Sequence, residues 1–335
     1  RKKKRQVVYS GYGDVEVVNV DTREVVGRGT LNGTNTINIT TNIDTTGTYH
    51  LRADFKGNTN YTNSNYTLQA FNVEKRESTI SIIVNNDVYQ DTSITITVTD
   101  PVTETPITNA PVTITLPNGE TINRLTDQDG DINVDLDLPV GPNTITVTYT
   151  GNEEYNTSTT TQTINVVKRA SNTIATITNA TIRNTTVNVT VTDNITHEPV
   201  TSGEIIIKDT NTDKIVGRGT LNGTNNILIT TNLDTKGNYE LLVEFAGNDY
   251  YNSSTYTLSD VTVTGREASI ETTVENQTQG NTTINITVKD PITNTPISNS
   301  TVTITYPNGT TETVTTDENG NIRVFLLYTS PSPRD

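Results

Sequence analysis

The chain has 335 residues with 31% hydrophobic and 5% aromatic content, no Cys, Met or Trp, and a formal net charge of −15 at a pI near 4.5. That acidity excludes the basic footprint on which nucleic-acid binding depends, and the missing cysteines exclude disulfides and thiolate metal sites. No apolar run reaches the ~18 residues of a membrane-inserted helix, and although the low apolar share would fit disorder, Val, Ile and Thr dominate and alternate, as strands require.

Arg1, Lys2, Lys3, Lys4 and Arg5 form a cationic run at one end of the chain, which reads as solvated. The next stretch, VVGRGTLNGTN (Val25 to Asn35), runs a valine pair into glycines spaced like a phosphate loop. A dinucleotide loop needs a helix directly after it, whose N-terminus holds the pyrophosphate. In that place stands Asn35-Thr36-Ile37-Asn38-Ile39-Thr40-Thr41, with period two and β-branched residues. The stretch is therefore predicted to be strands with its glycines at hairpin corners, and no cofactor is expected.

Between Glu74 and Val167 the turn signals predict seven strands: Thr79 to Val84, Ser93 to Thr99, Val112 to Leu116, Thr121 to Leu125, Ile132 to Leu138, Thr144 to Tyr149 and Thr161 to Val167. Gly, Pro, Asn and Asp clusters separate them, the pattern of an immunoglobulin-like β-sandwich. Ile94, Ile96 and Val98 alternate with Thr95, Thr97 and Thr99, so one face is apolar and the other hydroxyl-bearing. Two such sheets enclose a core roughly 10 Å thick.

The Val25 stretch returns as IVGRGTLNGTN from Ile215, 190 positions later, and DPVTETPITNAPVTITLPNG from Asp100 returns as DPITNTPISNSTVTITYPNG from Asp290. A weaker half-period relates GNTNYTNS from Gly57, GNEEYNTS from Gly151 and GNDYYNSS from Gly247. A unit of about 95 residues suits a tandem array of whole domains. The expected fold is all-β: immunoglobulin-like sandwiches of about seven strands in an elongated array. The expected domains are 1–73 (incomplete), 74–167, 168–264 and 265–328 (truncated). The tail 329–335 is foreign to the pattern, and the closing YTSPSPRD reads as a translated adapter sequence.

Gly47-x-Tyr49 followed by Phe55-x-Gly57-Asn58-x-x-Tyr61-x-x-Ser64 resembles the last two strands of bacterial and archaeal immunoglobulin-like repeats, and Tyr239, Phe245, Gly247, Asn248, Tyr251 and Ser254 repeat it. Asp290-x-x-Thr293-x-x-Pro296-Ile297 with Thr316-Asp317-x-Asn319-Gly320 is similar to their earlier strands and hairpin. With the Asn/Thr richness, the chain resembles adhesin-like surface proteins of methanogenic archaea. The resemblance implies an extracellular, non-catalytic stalk or adhesin whose partner is an extracellular protein or glycan. The rival expectations are a module that grips glycan or protein through its loops, and an accessory stalk of a larger surface enzyme.

Few residues bear chemistry. Asp127, Asp129 and Asp131 place three carboxylates in one turn, a weak calcium candidate, but the other copy carries Asp317, Asn319 and Asn321 there. A tight hairpin accounts for both copies. The junctions carry Lys75-Arg76, Lys168-Arg169 and Arg266 rather than acids, which argues against junctional calcium. His50 and His197 lack counterparts in the repeat, and no motif gathers a nucleophile, a base and an orienting group. Sequons recur, and Asn60, Asn65, Asn156, Asn222, Asn252 and Asn308 are the glycosylation candidates. Tyr250 and Tyr251 are the weak ligand-binding candidates; core packing or loop anchoring is the competing role for the recurring tyrosine.

Overall fold

The computed structural model describes residues 11–278 and 280–326, all of them strand, turn or loop. It divides into two compact units, Arg1–Lys168 and Arg169–Asp335. The cationic run at Arg1–Arg5 and the 329–335 tail lie outside the described residues.

The first unit opens with β1 (Tyr12–Asn19), β2 (Val25–Asn32), β3 (Gly47–Tyr49), β4 (Leu51–Phe55), β5 (Ser64–Thr67) and β6 (Phe71–Val73). They form one sheet in the order β2-β1-β4-β5 and a small β3–β6 pair. A whole sandwich comes next: β7 (Thr79–Val88), β8 (Asp91–Thr99), β9 (Pro111–Thr115), β10 (Thr121–Leu125), β11 (Asp131–Leu136), β12 (Gly141–Tyr149) and β13 (Ser158–Val166). All seven strands predicted there are present, in two antiparallel sheets ordered β11-β8-β7 and β10-β9-β12-β13.

The second unit repeats this architecture with β14 (Ser171–Asn179), β15 (Thr185–Asp193), β16 (Ser202–Asp209), β17 (Lys214–Asn222), β18 (Asn226–Thr231), β19 (Gly237–Phe245) and β20 (Ser254–Val263). Its sheets are β14-β15-β18 and β17-β16-β19-β20. It ends with β21 (Ser269–Thr278), β22 (Asn281–Lys289), β23 (Thr301–Thr305), β24 (Thr311–Thr315) and β25 (Asn321–Leu326), paired as β21-β22-β25 and β23–β24. The chain is thus an all-β tandem of immunoglobulin-like sandwiches.

Period-two alternation builds each core. Ile94, Ile96 and Val98 of β8 face Ile145, Val147 and Tyr149 of β12, all fully buried, and each such side chain contributes about 1.5–3 kcal/mol. The intervening threonines face out and pair across strands, Thr144 with Thr163 at 2.9 Å and Thr148 with Thr159 at 3.1 Å. In the second unit Val187, Val189, Ile205, Ile207, Leu241, Val243 and Phe245 do the same work. Tyr149 occupies the place of Phe55 and Phe245, and its buried hydroxyl has no hydrogen-bond partner among the described residues. An unsatisfied buried hydroxyl costs about 1–3 kcal/mol, so Tyr149→Phe is expected to leave stability unchanged or raise it by about 1 kcal/mol. Urea unfolding checks this; a clear loss of stability would contradict it.

The glycine-rich stretch corrects the sequence expectation in part. Only Gly33 turns a corner, at φ +81°; Gly27 and Gly29 lie inside β2. A Cβ on Gly27 would stand 2.7 Å from Ile39, and one on Gly29 2.6 Å from Ile37. Gly217 and Gly219 meet Ile229 and Ile227 in the same way. These glycines let an isoleucine pair cross close over the strand, the other standing reason for glycine in a strand interior.

The Gly-x-Tyr motif forms a tyrosine corner. The Tyr49 hydroxyl donates to the Thr45 carbonyl at 2.8 Å and that of Tyr239 to the Thr235 carbonyl at 3.0 Å. Between them in sequence, buried Asn143 donates to the carbonyls of Pro139 and Gly141, both at 2.8 Å.

Candidate functional site: an arginine, aspartate and tyrosine cluster

Each last strand ends three residues before an arginine: β6 at Val73 before Arg76, β13 at Val166 before Arg169, and β20 at Val263 before Arg266. Each arginine stands 24 positions before an aspartate, 76 to 100, 169 to 193 and 266 to 290. The aspartate follows or closes the second strand, where the sequence reads Asp-x-x-Thr and the side chain can fold back on its own turn.

The Asp100 carboxylate uses one oxygen for the Val102 and Thr103 amides, at 2.8 and 3.1 Å. Its other oxygen takes an Arg76 guanidinium nitrogen at 2.6 Å and the Tyr155 hydroxyl at 3.2 Å. Asp193 repeats this with the Ile195 and Thr196 amides, both at 2.9 Å, and with Nε of Arg169. Tyr251 engages both Asp193 and Arg169. Asp290 takes the Ile292 and Thr293 amides and Arg266 at 2.9 Å. With both oxygens occupied by four donors, Asp100 is built to hold rather than to accept a proton.

The tyrosine arrives on the Gly-Asn-x-x-Tyr loop. Gly57, Gly151 and Gly247 take φ values of +84°, +77° and +84°, and the asparagine that follows accepts the amides two and three residues on. The arginine backbone also joins this loop as a parallel bridge, Arg76 to Tyr155 and Arg169 to Tyr251. The loop is repeated in the first sandwich, where it carries Tyr61. There Tyr61 is 51% exposed, whereas Tyr155 is 8% exposed.

Asp193 is held well below the usual carboxylate range by Arg169 foremost, against the upward push of burial, with the Thr196 and Ile195 amides adding to the lowering. For Asp100 burial is the largest single influence and pushes upward, but the Val102 and Thr103 amides, Tyr155 and Arg76 together outweigh it. Asp290 is lowered first by the Ile292 amide. A carboxylate whose folded pKa lies below its unfolded value of about 3.9 contributes stability above that pH and loses it as pH falls toward the folded pKa. The urea midpoint is therefore expected to hold steady above about pH 5 and to drop below about pH 4, with a shallower drop in Asp193→Asn. A midpoint that rises on acidification would contradict the assignment.

The residues singled out from sequence fall elsewhere or take other parts. Asp127 caps its own turn, accepting the Asp129 and Asp131 amides at 2.9 and 2.8 Å, while Asp131 accepts the Thr97 hydroxyl at 2.6 Å. In the other copy Asp317 and Asn321 make the same bonds, the latter with Thr287. Among the described residues no set of three or more acidic or histidine side chains is gathered about a metal position. Tyr251 anchors the loop, its carbonyl accepting the Asn248 amide and its backbone bridging Arg169, and Tyr250 is exposed beside it. Asn60, Asn65, Asn222, Asn252 and Asn308 are exposed, whereas Asn156 is half-buried and donates to Glu77 at 2.9 Å. Arg76, Arg169 and Arg266 stand in the junction motifs and Asp100 and Asp290 in the recurring Asp-Pro stretches, whereas Asp193 belongs to neither. Their constant separation of 24 was the signal that pairs them.

No family model matches the chain, and no curated protein does. Among solved structures it is similar to a tetra-tandem repeat in the extending region of a large adhesion protein, at 13% identity and TM-score 0.32, over 95% of this chain and 84% of that one. It is also similar to native alpha-2-macroglobulin from Escherichia coli, spanning domains MG0-NIE-MG1, at 11% identity and TM-score 0.24, over 73% of this chain and 90% of that one.

Proposed function

We propose that this chain is a stretch of an extracellular, adhesin-like stalk, a non-catalytic spacer that carries a binding tip for a protein or glycan away from a cell. The observation that carries the reading is the recurring cluster, which fastens the first residues of a sandwich to that sandwich's own loop. Val167 is hydrogen-bonded to Asp87 and Tyr89 in one unit, and Arg169 to Tyr250 and Asn252 in the next. The two anchored residues, Val167 and Arg169, stand two positions apart in the sequence. A spacer needs that economy, because every slack residue adds conformational freedom. Exposed sequons such as Asn60 and Asn308 would carry glycan on such a surface.

The test is cell-surface display of an epitope beyond one or two copies of residues 74–264. The epitope is expected to rise by a similar height with each copy, as read by axial fluorescence localisation. An unchanged height would refute the spacer. The second reading, direct gripping of glycan, draws on Tyr250, which stands 47% exposed at the loop apex. Glycan-array binding lost on Tyr250→Ala would favour it.

A further inference from the structure

The terminal strands of the two whole sandwiches are tied together at both ends. In the first unit Arg76 bridges Tyr155 and Val88 bridges Val167, both in the parallel sense. The Arg76 amide donates to the Glu154 carbonyl and the Asn156 amide to the Arg76 carbonyl, each at 2.8 Å. The Ser78 hydroxyl adds contacts to the Asn156 carbonyl at 3.1 Å and the Ser158 hydroxyl at 2.8 Å. At the far end the Val167 amide donates to the Asp87 carbonyl at 2.8 Å and the Tyr89 amide to the Val167 carbonyl at 2.9 Å.

The second unit reproduces the set. Arg169 bridges Tyr251 and Thr181 bridges Thr264, again in parallel. The Ser171 hydroxyl reaches the Asn252 carbonyl and the Ser254 hydroxyl, both at 2.7 Å. The Ile182 amide donates to the Thr264 carbonyl at 2.9 Å and the Thr264 amide to the Ala180 carbonyl at 3.0 Å.

The geometry points to a mechanical function: in each whole sandwich the first and last strands form a tension-bearing clamp loaded in shear. Because β7 and β13 run parallel, the chain enters at one end of the sandwich and leaves at the other. Tension along the chain slides one strand past its neighbour, so the arginine, serine and far-end bonds are strained together rather than one by one. The cluster sits where the load enters and adds its ion pair to the same patch. This rests on the stalk reading, since only a chain under tension uses such a clamp.

Forced unfolding reports the barrier rather than the equilibrium stability, so single-molecule pulling separates the two. The chain has no cysteine, so handles can be placed at will. One preparation of the full chain is pulled from its ends; a second, Gln90→Cys/Asn165→Cys, is pulled from two points at one end of the same sandwich, which peels the last strand. End-to-end pulling is expected to need a several-fold higher rupture force than peeling. Ser78→Ala is expected to lower the first force and leave the second unchanged. Equal forces in the two directions would overturn the clamp. Absence of separate steps of about 300 Å, the extended length of one sandwich, would instead overturn the reading of separately folded stalk units.

Discussion

Arg169→Ala is expected to destabilise its sandwich by about 3–5 kcal/mol, lowering its melting midpoint by more than about 10 °C. The Arg169 side chain is 11% exposed and that of Asp193 1%, so removing the cation strands a carboxylate where water reaches it poorly. Most of the cost is that uncompensated charge rather than the worth of the pair. Adding Asp193→Asn removes the charge while keeping an oxygen for the Ile195 and Thr196 amides, and the double variant is expected to recover a large part of the loss. Arg76 is 42% exposed beside an equally buried Asp100, and solvent screens its contribution, so Arg76→Ala is expected to cost less. Calorimetry of the three variants decides the matter. A double variant no better than Arg169→Ala would show that packing, not charge, holds the cluster.

The second large effect belongs to the loop that delivers the tyrosine. Gly151 sits at φ +77°, and a Cβ there would stand 2.7 Å from the Tyr155 carbonyl oxygen and 2.9 Å from the Thr157 nitrogen. Both obstacles are backbone, which cannot rotate away. Gly119, at φ +88°, has open space around the same position. Left-handed backbone costs a non-glycine residue about 1–2 kcal/mol, and overpacking adds about 1–3 kcal/mol. Gly119→Ala is therefore expected to cost about 1–2 kcal/mol and Gly151→Ala about 2–5 kcal/mol. Tyrosine fluorescence should follow the second loss, because Tyr155 leaves its buried place as the loop shifts. Equal costs at the two glycines, with Tyr155 fluorescence unchanged, would mean that the loop admits the Cβ without displacing Tyr155.

Much of this architecture was legible because β-branched residues alternate with polar ones at period two, and the seven strands from β7 to β13 follow that pattern within a few residues at each end. Strand interiors were harder. Gly27 and Gly29 have the same letters whether they turn a corner or admit a crossing isoleucine, and only the position of Ile37 and Ile39 in space separates the two. The cluster was half legible. Its tyrosine loop recurs conspicuously, but an arginine at a junction reads as surface charge until the aspartate 24 residues on is seen to be buried. Asp100 continues the inward phase of Ile94, Ile96 and Val98, and Asp193 that of Val187, Val189 and Val191, but an aspartate beside a turn reads as turn chemistry rather than as the next core position. Asp127 shows the reverse: three carboxylates in five residues look like a cation site, yet Asp127 is turned onto its own backbone and Asp131 onto Thr97.

Amide hydrogen exchange on the intact chain tests most directly whether the residues joining sandwiches are fastened to them. The amides of Val167, Arg169 and Asn252 donate to the carbonyls of Asp87, Tyr250 and Arg169 at 2.8–2.9 Å, and they are expected to be protected to the same degree as those of the neighbouring strands β13 and β20. Exchange at these amides as fast as in the open turn around Asn118 would contradict the account, because the joining residues would then be free linker.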